Sequence, residues 1–352
     1  MVREQQALRV LVHQSNPLVG DVSGNLARIR SAWEEARSRK VDVVVTPELG
    51  LVGYPPRDLL DRRSLLDAVQ RALTEMASWT LEGPALIVGA PLQVPGGLSN
   101  AAVALDGGRR VGEHQKCLLP TYDVFDEARH FIAGQRATPV EVRGYRLLLT
   151  VCEDIWAAAD PVLKVHYEGR DPLDGAPQGL HVMINLSASP YALAKRARRR
   201  VVAESAANRL GCPVIYVNQS GGHDELLFDG DSLFAAPGGN AQELLAPFAT
   251  GNALVTCDRG ATHPVAPVDS DTVLHAGLVC GIRDYVRKTG FSRVVLGLSG
   301  GIDSAVTAAL AVDALGADSV MGVLMPSRFS SQGSIDDALA LAANLGIATH
   351  TV

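Results

Sequence analysis

Apolar residues recur along the chain in two periods. Short, near-continuous β-branched or aliphatic runs at 8–14, 41–46, 85–90, 145–151, 181–186 and 214–217 read as buried strands. Between them, 25–40 has helical spacing with Leu26, Ile29, Trp33 and Ala36 on one face, and 59–78 and 191–210 read as further helices. Gly211 follows the last of these as its expected C-cap, and 16–24 reads as a turn. The runs 101–105 and 109–114 flank Asp106-Gly107-Gly108, a hairpin signal, and 233–236 is one more short strand. Helices following many strands predict a mixed α/β sandwich over residues 1–260. The stretch 262–271 is rich in Pro, Ser and Asp and reads as a linker or strap, which places a linker at 261–275. Beyond it come a helix at 273–289, a strand at 293–298, a glycine loop, a helix at 302–315, a strand at 319–325 and a helix at 334–345. This βαβα order predicts a doubly wound nucleotide domain over 276–352, incomplete because such a fold uses several more βα units.

The 352 residues carry a net charge of -6, which argues against an electrostatic nucleic-acid binder. One basic run, Lys195 to Arg200, breaks the pattern; a solvated helix face is expected there, with a ligand or partner role as the alternative. Five cysteines with no close pair fit reduced thiols, and the first residues lack the apolar stretch of a signal peptide. The uncharged segment 83–105 is interrupted by Pro84, Pro91 and Pro95, so it reads as buried strand and turn rather than a membrane helix. These features together predict a cytoplasmic protein with no membrane association.

Candidate chemistry gathers at strand ends. Glu48 follows the run 41–46, Lys116 follows a strand and a His-Gln pair, and Cys152 directly follows 145–151. A thiol with an ordinary pKa near ~8.5 needs a base or a cation to become a nucleophile. A carboxylate can take its proton, and an ammonium can stabilise the oxyanion that forms on an attacked amide, with the Glu153 backbone N–H as a second donor. Glu127 is a further acid able to orient Lys116 or move protons. On these residues alone, a salt-bridged pair beside a core cysteine fits equally well. In the second domain, Ser299-Gly300-Gly301-Ile302-Asp303-Ser304 joins a strand to a helix. Successive glycines let backbone N–H groups approach phosphate, and the helix N-terminus favours an anion. Asp303 is a candidate Mg2+ ligand or loop brace, and a tight turn with an Asp-Ser cap is the alternative.

These segments resemble a known family. Pro47-Glu48-Leu-Gly-Leu-Val-Gly-Tyr54-Pro-Pro, His114-Gln-Lys116-Cys-Leu-Leu-Pro-Thr-Tyr122-Asp-Val-Phe125-Asp-Glu127 and Cys152-Glu153-Asp-Ile-Trp156 look like the glutaminase half of glutamine-dependent NAD+ synthetases, within the nitrilase (carbon-nitrogen hydrolase) superfamily. The stretch from Asn218 to Phe234 extends the likeness. The resemblance implies a four-layer αββα sandwich with Glu48 as general base, Lys116 as transition-state stabiliser and Cys152 as nucleophile, through a γ-glutamyl thioester. It places Tyr54, Tyr122 and Phe125 around the glutamine, and Glu153, Ser189 and Lys195 near its amino-acid end. For Ser189 a helix cap, and for Lys195 a solvated side chain, are the competing readings. The loop 299–304 and Met325-Pro-Ser-Arg328 with Asp336-Asp-Ala resemble the ATP-pyrophosphatase domain of the same synthetases. That likeness implies ATP and Mg2+ for amidating deamido-NAD+ to NAD+ with release of AMP and pyrophosphate, no cofactor for glutamine hydrolysis, and homo-oligomers built through the nitrilase domain. The expectation for this chain is glutaminase chemistry without unaided NAD+ synthesis. A stand-alone amidase for another small amide and an inactive structural or regulatory remnant are the alternatives. One departure is the segment 157–180, whose later part is rich in Gly, Pro and Asp and is expected to break a helix.

Overall fold

The computed structural model describes residues 7–157, 161–258, 260–261, 265–266 and 268–352. Of the expected linker, 262–264 and 267 lie outside the described residues, as do 158–160 of the unusual 157–180 segment. The chain divides into two compact units, one comprising 1–220 with 228–267 and the other 221–227 with 268–352.

The first unit opens with β1 (Arg9–Gln14), α1 (Val22–Ser38), β2 (Val43–Val45), α2 (Arg63–Trp79), β3 (Ala85–Val94), β4 (Gly97–Asp106) and β5 (Arg109–Gln115). It continues with β6 (Pro139–Val142), β7 (Tyr145–Val151), α3 (Pro161–His166), β8 (Val182–Ser187), α4 (Lys195–Leu210) and β9 (Val214–Asn218). After the hairpin β10 (Ser220–His223) and β11 (Leu226–Asp229), whose residues 221–227 belong to the second unit, come β12 (Leu233–Ala235), β13 (Gln242–Glu243), β14 (Gly251–Thr256) and β15 (Gly260–Ala261). One sheet has the order β15-β14-β1-β2-β3-β4-β5, the other β13-β12-β9-β8-β7-β6. Each is built on three parallel strands, β1-β2-β3 and β7-β8-β9. Strand alternation separates two apolar faces. Val10, Val12, Val43 and Val45 pack with Leu147, Leu149 and Val151 between the sheets. The intervening Leu148 and Met183 pack instead with Val202, Ala203 and Ala206 of α4. With α1 and α2 packed on the first sheet, the layers run αββα.

Several local expectations shift. α1 starts at Val22, inside the expected turn, because Asp21 caps it by accepting the Gly24 N–H at 2.9 Å. β3 and β4 are longer than the apolar runs, pairing from Leu86–Leu105 out to Val94–Gly97. α4 begins at Lys195, and Gly211 ends it with a left-handed φ of 64°.

In the second unit, α5 (Ser270–Lys288) is followed by β16 (Val294–Gly297), α6 (Ile302–Leu315), β17 (Val320–Leu324), α7 (Gln332–Leu345) and β18 (Ala348–Thr351). Asp269 to Asp271, read as linker, form the capped start of α5. The three strands are parallel in the order β16-β17-β18, and Ala308, Ala311, Ala338 and Ala342 bring the helices against Leu298, Val320 and Leu324. This is how a doubly wound sheet begins.

Candidate active site

Three strand ends of the first unit, those of β2, β5 and β7, carry Glu48, Lys116 and Cys152. Past β2 the chain turns through Glu48 into Leu49 at φ 47°. Gly89 of β3 makes that turn possible: a Cβ there would lie 2.2 Å from Pro47 O and 2.5 Å from Leu49 N. Gly89→Ala is therefore expected to cost about 1–3 kcal/mol of stability and to displace Glu48; chemical denaturation with steady-state kinetics checks both.

Cys152 lies one residue beyond β7 at φ 47°, at the head of a 3-10 turn, Cys152–Ile155. Holding a non-glycine residue in that left-handed region costs about 1–3 kcal/mol and is a feature of functional turns. Asp154 holds it. Its Oδ2 accepts the Val151 N–H at 3.0 Å and meets His114 Nε2 at 2.7 Å. Its Oδ1 accepts the Cys117 and Leu118 N–H groups at 2.9 and 3.0 Å. One buried carboxylate thus ties the cysteine turn to the chain leaving β5, which carries Lys116. His114, Cys117 and Asp154 also offer ligand atoms within 4.8 Å of one another. Those four hydrogen-bond contacts already occupy Asp154, so we read the trio as a structural tie.

Lys116 Nζ donates to Glu48 Oε1 and to Glu127 Oε1, both at 2.7 Å, and all three side chains are buried. Asn100 Nδ2 donates to Glu48 Oε1 at 2.7 Å and to Glu127 Oε2 at 3.4 Å, while the Ala188 N–H donates to Glu48 Oε2 at 2.9 Å. Burial works against the Lys116 charge, but Glu127 and Glu48 more than offset it and hold the ammonium's pKa well above its ordinary value. Burial also pushes Glu127 up to about 7, against the pull of Lys116 and with the push of Glu48. The Cys152 thiol is raised well above its usual range, by burial first and by Glu48 second, with Lys116 opposing. At rest, then, the cysteine is a thiol, and a base must take its proton as it attacks.

Cys152 opens on a cavity of about 320 Å³ whose wall includes Tyr122, Phe125, Glu153, Ser189 and Lys195. Tyr122 and Tyr167 both donate to the Glu153 carboxylate. Lys195 Nζ lies 5.9 Å from the Trp156 ring centroid, and burial lowers its pKa, so it is not simply solvated. Ser189 does not cap α4, whose N-cap is Ala194; its N–H donates to Asn218 Oδ1 at 2.9 Å. Tyr54 does not line this cavity. It stands behind Glu127, donating to Oε1 at 2.7 Å with its ring 6.4 Å from that of Phe125, and borders a neighbouring cavity of about 300 Å³.

Most of the basic run is not a solvated face, although Arg198 is exposed. Arg199 is fully buried and donates to Asp229, and Arg196 bonds Glu243 at 2.9 Å and Asp231 at 3.3 Å. Arg200 pairs with Glu243 as well. Carboxylates 30 to 47 residues away, invisible to local pattern, neutralise these cations. Asn100, Asp154 and Tyr167 were also missed; Asn100 and Tyr167 are polar residues inside an apolar or irregular stretch with no motif of their own, and Asp154 sits within the Cys152–Trp156 motif without a role having been assigned to it.

In the second unit, Gly300 has φ 76°, and a Cβ there would lie 2.2 Å from Ser334 O. Ser299 and Ser304 brace the loop: the Ser299 N–H donates to Ser304 Oγ at 3.3 Å, and the Gly301 N–H to Ser299 Oγ at 3.3 Å. Gly301 is the N-cap of α6, so Ile302 and Asp303 form its first turn and are exposed. Beside the loop is a cavity of about 240 Å³ lined by Ser299, Met325, Ser330 and Ser334.

The carbon-nitrogen hydrolase family model matches residues 9–266. The chain belongs to the carbon-nitrogen hydrolase family. The NAD synthase family model matches residues 274–352 of this carbon-nitrogen hydrolase family member. Over 97% of its length the chain is 38% identical to a glutamine-dependent NAD(+) synthetase of Synechocystis, and over 98% it is 38% identical to one of Rhodobacter capsulatus. It covers 64% and 62% of those proteins, so it spans less than two thirds of the curated relatives it matches. The solved glutamine-dependent NAD+ synthetase of Acinetobacter baumannii, in complex with ADP, superposes with a TM-score of 0.87 at 32% identity, over 99% of this chain and 65% of that one. A mutant of a Nesterenkonia amidase from the nitrilase superfamily shares the fold of the first unit, with a TM-score of 0.58 at 23% identity over 73% of this chain. No helix among the described residues is long and apolar enough to cross a membrane.

Proposed function

We propose that residues 1–260 form a glutaminase domain, joined through 261–275 to the ATP-binding start, 276–352, of a glutamine-hydrolysing NAD+ synthetase. The observation that carries this reading is the buried Glu48–Lys116–Glu127 set around a thiol that opens on a cavity bearing both a carboxylate and an ammonium. A free amino acid presents one charge of each sign, and each needs a partner once desolvated. Glu153 meets the α-ammonium; Lys195, with Ser189, meets the α-carboxylate. Tyr122 and Phe125 flank the chain of the substrate, and Tyr54 acts through Glu127.

Glu48 takes the Cys152 proton as sulfur attacks the side-chain amide carbon. Lys116 and the Glu153 N–H stabilise the oxyanion. Glu48 then gives the proton to the leaving nitrogen, so ammonia departs and a γ-glutamyl thioester remains. Water, deprotonated by the same carboxylate, cleaves the thioester to glutamate and restores the thiol. Because Lys116 is held charged, it stabilises the oxyanion without spending a proton.

In a protein of its relatives' length, ATP would adenylate deamido-NAD+ and ammonia would displace AMP, giving NAD+, AMP and pyrophosphate. The 299–304 loop binds phosphate through its backbone N–H groups and two hydroxyls. Asp303, one exposed hard carboxylate beside that loop, suits Mg2+, which commonly takes one or two carboxylates together with phosphate oxygens and would neutralise phosphate charge there. Self-association through the first domain and a cytoplasmic location belong to the same reading.

The test is product analysis on the purified chain offered glutamine and, separately, butyramide. Glutamate and ammonia in equal amounts, with a strong preference for glutamine, are expected. Turnover of butyramide with none of glutamine would overturn the proposal in favour of a general amidase.

A further inference from the structure

Tyr167 comes from the unusual segment after Trp156. α3 and the turn that follows bring it back toward the cavity, with Leu163 of α3 in the cavity wall. Its phenol donates to Glu153 Oε2, while Tyr122 donates to Oε1 of the same carboxylate. The His166 ring stands edge-on to both, with centroids 4.9 Å from Tyr122 and 4.8 Å from Tyr167. Tyr167 also packs against the buried cluster of Cys117, Leu118 and Ala157, beside Lys116. A glutamate side chain alone has considerable rotamer freedom to lose on binding. One donor on each oxygen fixes the carboxylate plane and leaves a lone pair on each oxygen for a further donor.

Resting on the glutaminase reading, we infer that Tyr167 is a specificity-determining positioning residue: with Tyr122 it locks Glu153 to receive the α-ammonium group of the substrate. Burial and the Glu153 charge push both phenols far up, so each remains an O–H donor at any physiological pH. The lock makes the site select amides that carry an α-amino group. Both phenols act through the Glu153 carboxylate, so the effect of removing the Tyr167 hydroxyl falls on binding rather than on bond making.

The test compares glutamine with glutaramate, which is glutamine without the α-amino group, in the wild-type chain and in Tyr167→Phe. Phenylalanine keeps the ring packing and removes only the hydroxyl. Loss of one such charge-assisted bond is expected to raise KM for glutamine about tenfold with kcat within about twofold. The glutaramate parameters should not change, and Tyr167→Gln, which restores a donor, should recover part of the glutamine KM. An unchanged preference for glutamine over glutaramate in Tyr167→Phe would overturn the assignment, as would equal loss on both substrates, the signature of a merely structural residue. A wild-type chain that hydrolyses neither compound would instead overturn the glutaminase reading, and this assignment with it.

Discussion

Glu48→Gln is expected to lower kcat for glutamine hydrolysis by about 10³- to 10⁴-fold, the upper range for removing a general base. The thiol of Cys152 is raised by burial and by Glu48 itself, so no reserve of thiolate waits at neutral pH. Without the carboxylate the proton has no acceptor at the moment of attack. Glutamine keeps the shape of the side chain, but Glu48 accepts from Lys116, Asn100 and Ala188. A side-chain amide can satisfy donors at only one of its two ends, so a stability loss of about 1–3 kcal/mol should accompany the kinetic one. Steady-state glutamate formation and thermal melting separate the two effects; a variant retaining more than a tenth of wild-type kcat would show that another group takes the proton.

The strand pattern, and the placing of Glu48, Lys116 and Cys152 at strand ends, were readable because they depend on local chemistry, whereas the roles of those three residues rested on family likeness. A β-branched run ending in Pro47-Glu48, or an apolar run ending at Cys152, is visible in a window of a dozen residues. The expected roles of Glu153 and Lys195 rested on family likeness. Hidden features were those whose partners lie far along the chain. The Arg196–Arg200 cluster looked solvated because Asp229, Asp231 and Glu243 return to it only through the β9–β13 folding path. Asn100 sits in an uncharged stretch that reads as plain strand, yet it bridges Glu48 and Glu127 across 52 and 27 residues. The expected start of α1 was missed for a smaller reason: Gly24 inside the first turn resembles a breaker, whereas it gives the Asp21 cap its room.

Lys116→Ala is expected to lower kcat by at least about 10³-fold and to destabilise the first unit by about 3–5 kcal/mol. The kinetic loss follows from removing the charge that meets the oxyanion. The stability loss follows from leaving Glu48 and Glu127 buried together with no cation between them. Its pH dependence has a definite sign. Glu127 is already pushed up to about 7 with the lysine present, and losing Lys116 removes a lowering influence. A carboxyl whose folded pKa lies above its unfolded value favours the folded state below the unfolded pKa, and that support is lost as pH rises through the folded pKa. The variant should therefore melt closer to wild type near pH 5 than near pH 8. Denaturation at the two values reads this directly, and an equal deficit at both would mean that the carboxylates find other compensation.

Acid quenching of the chain during glutamine turnover, followed by peptide mass mapping, tests the central claim most directly. The account predicts a γ-glutamyl group on the peptide carrying Cys152, absent from Cys152→Ala, which should also form no glutamate above background. Glutamate formation that survives in Cys152→Ala, or a γ-glutamyl group carried on a different residue, would contradict it.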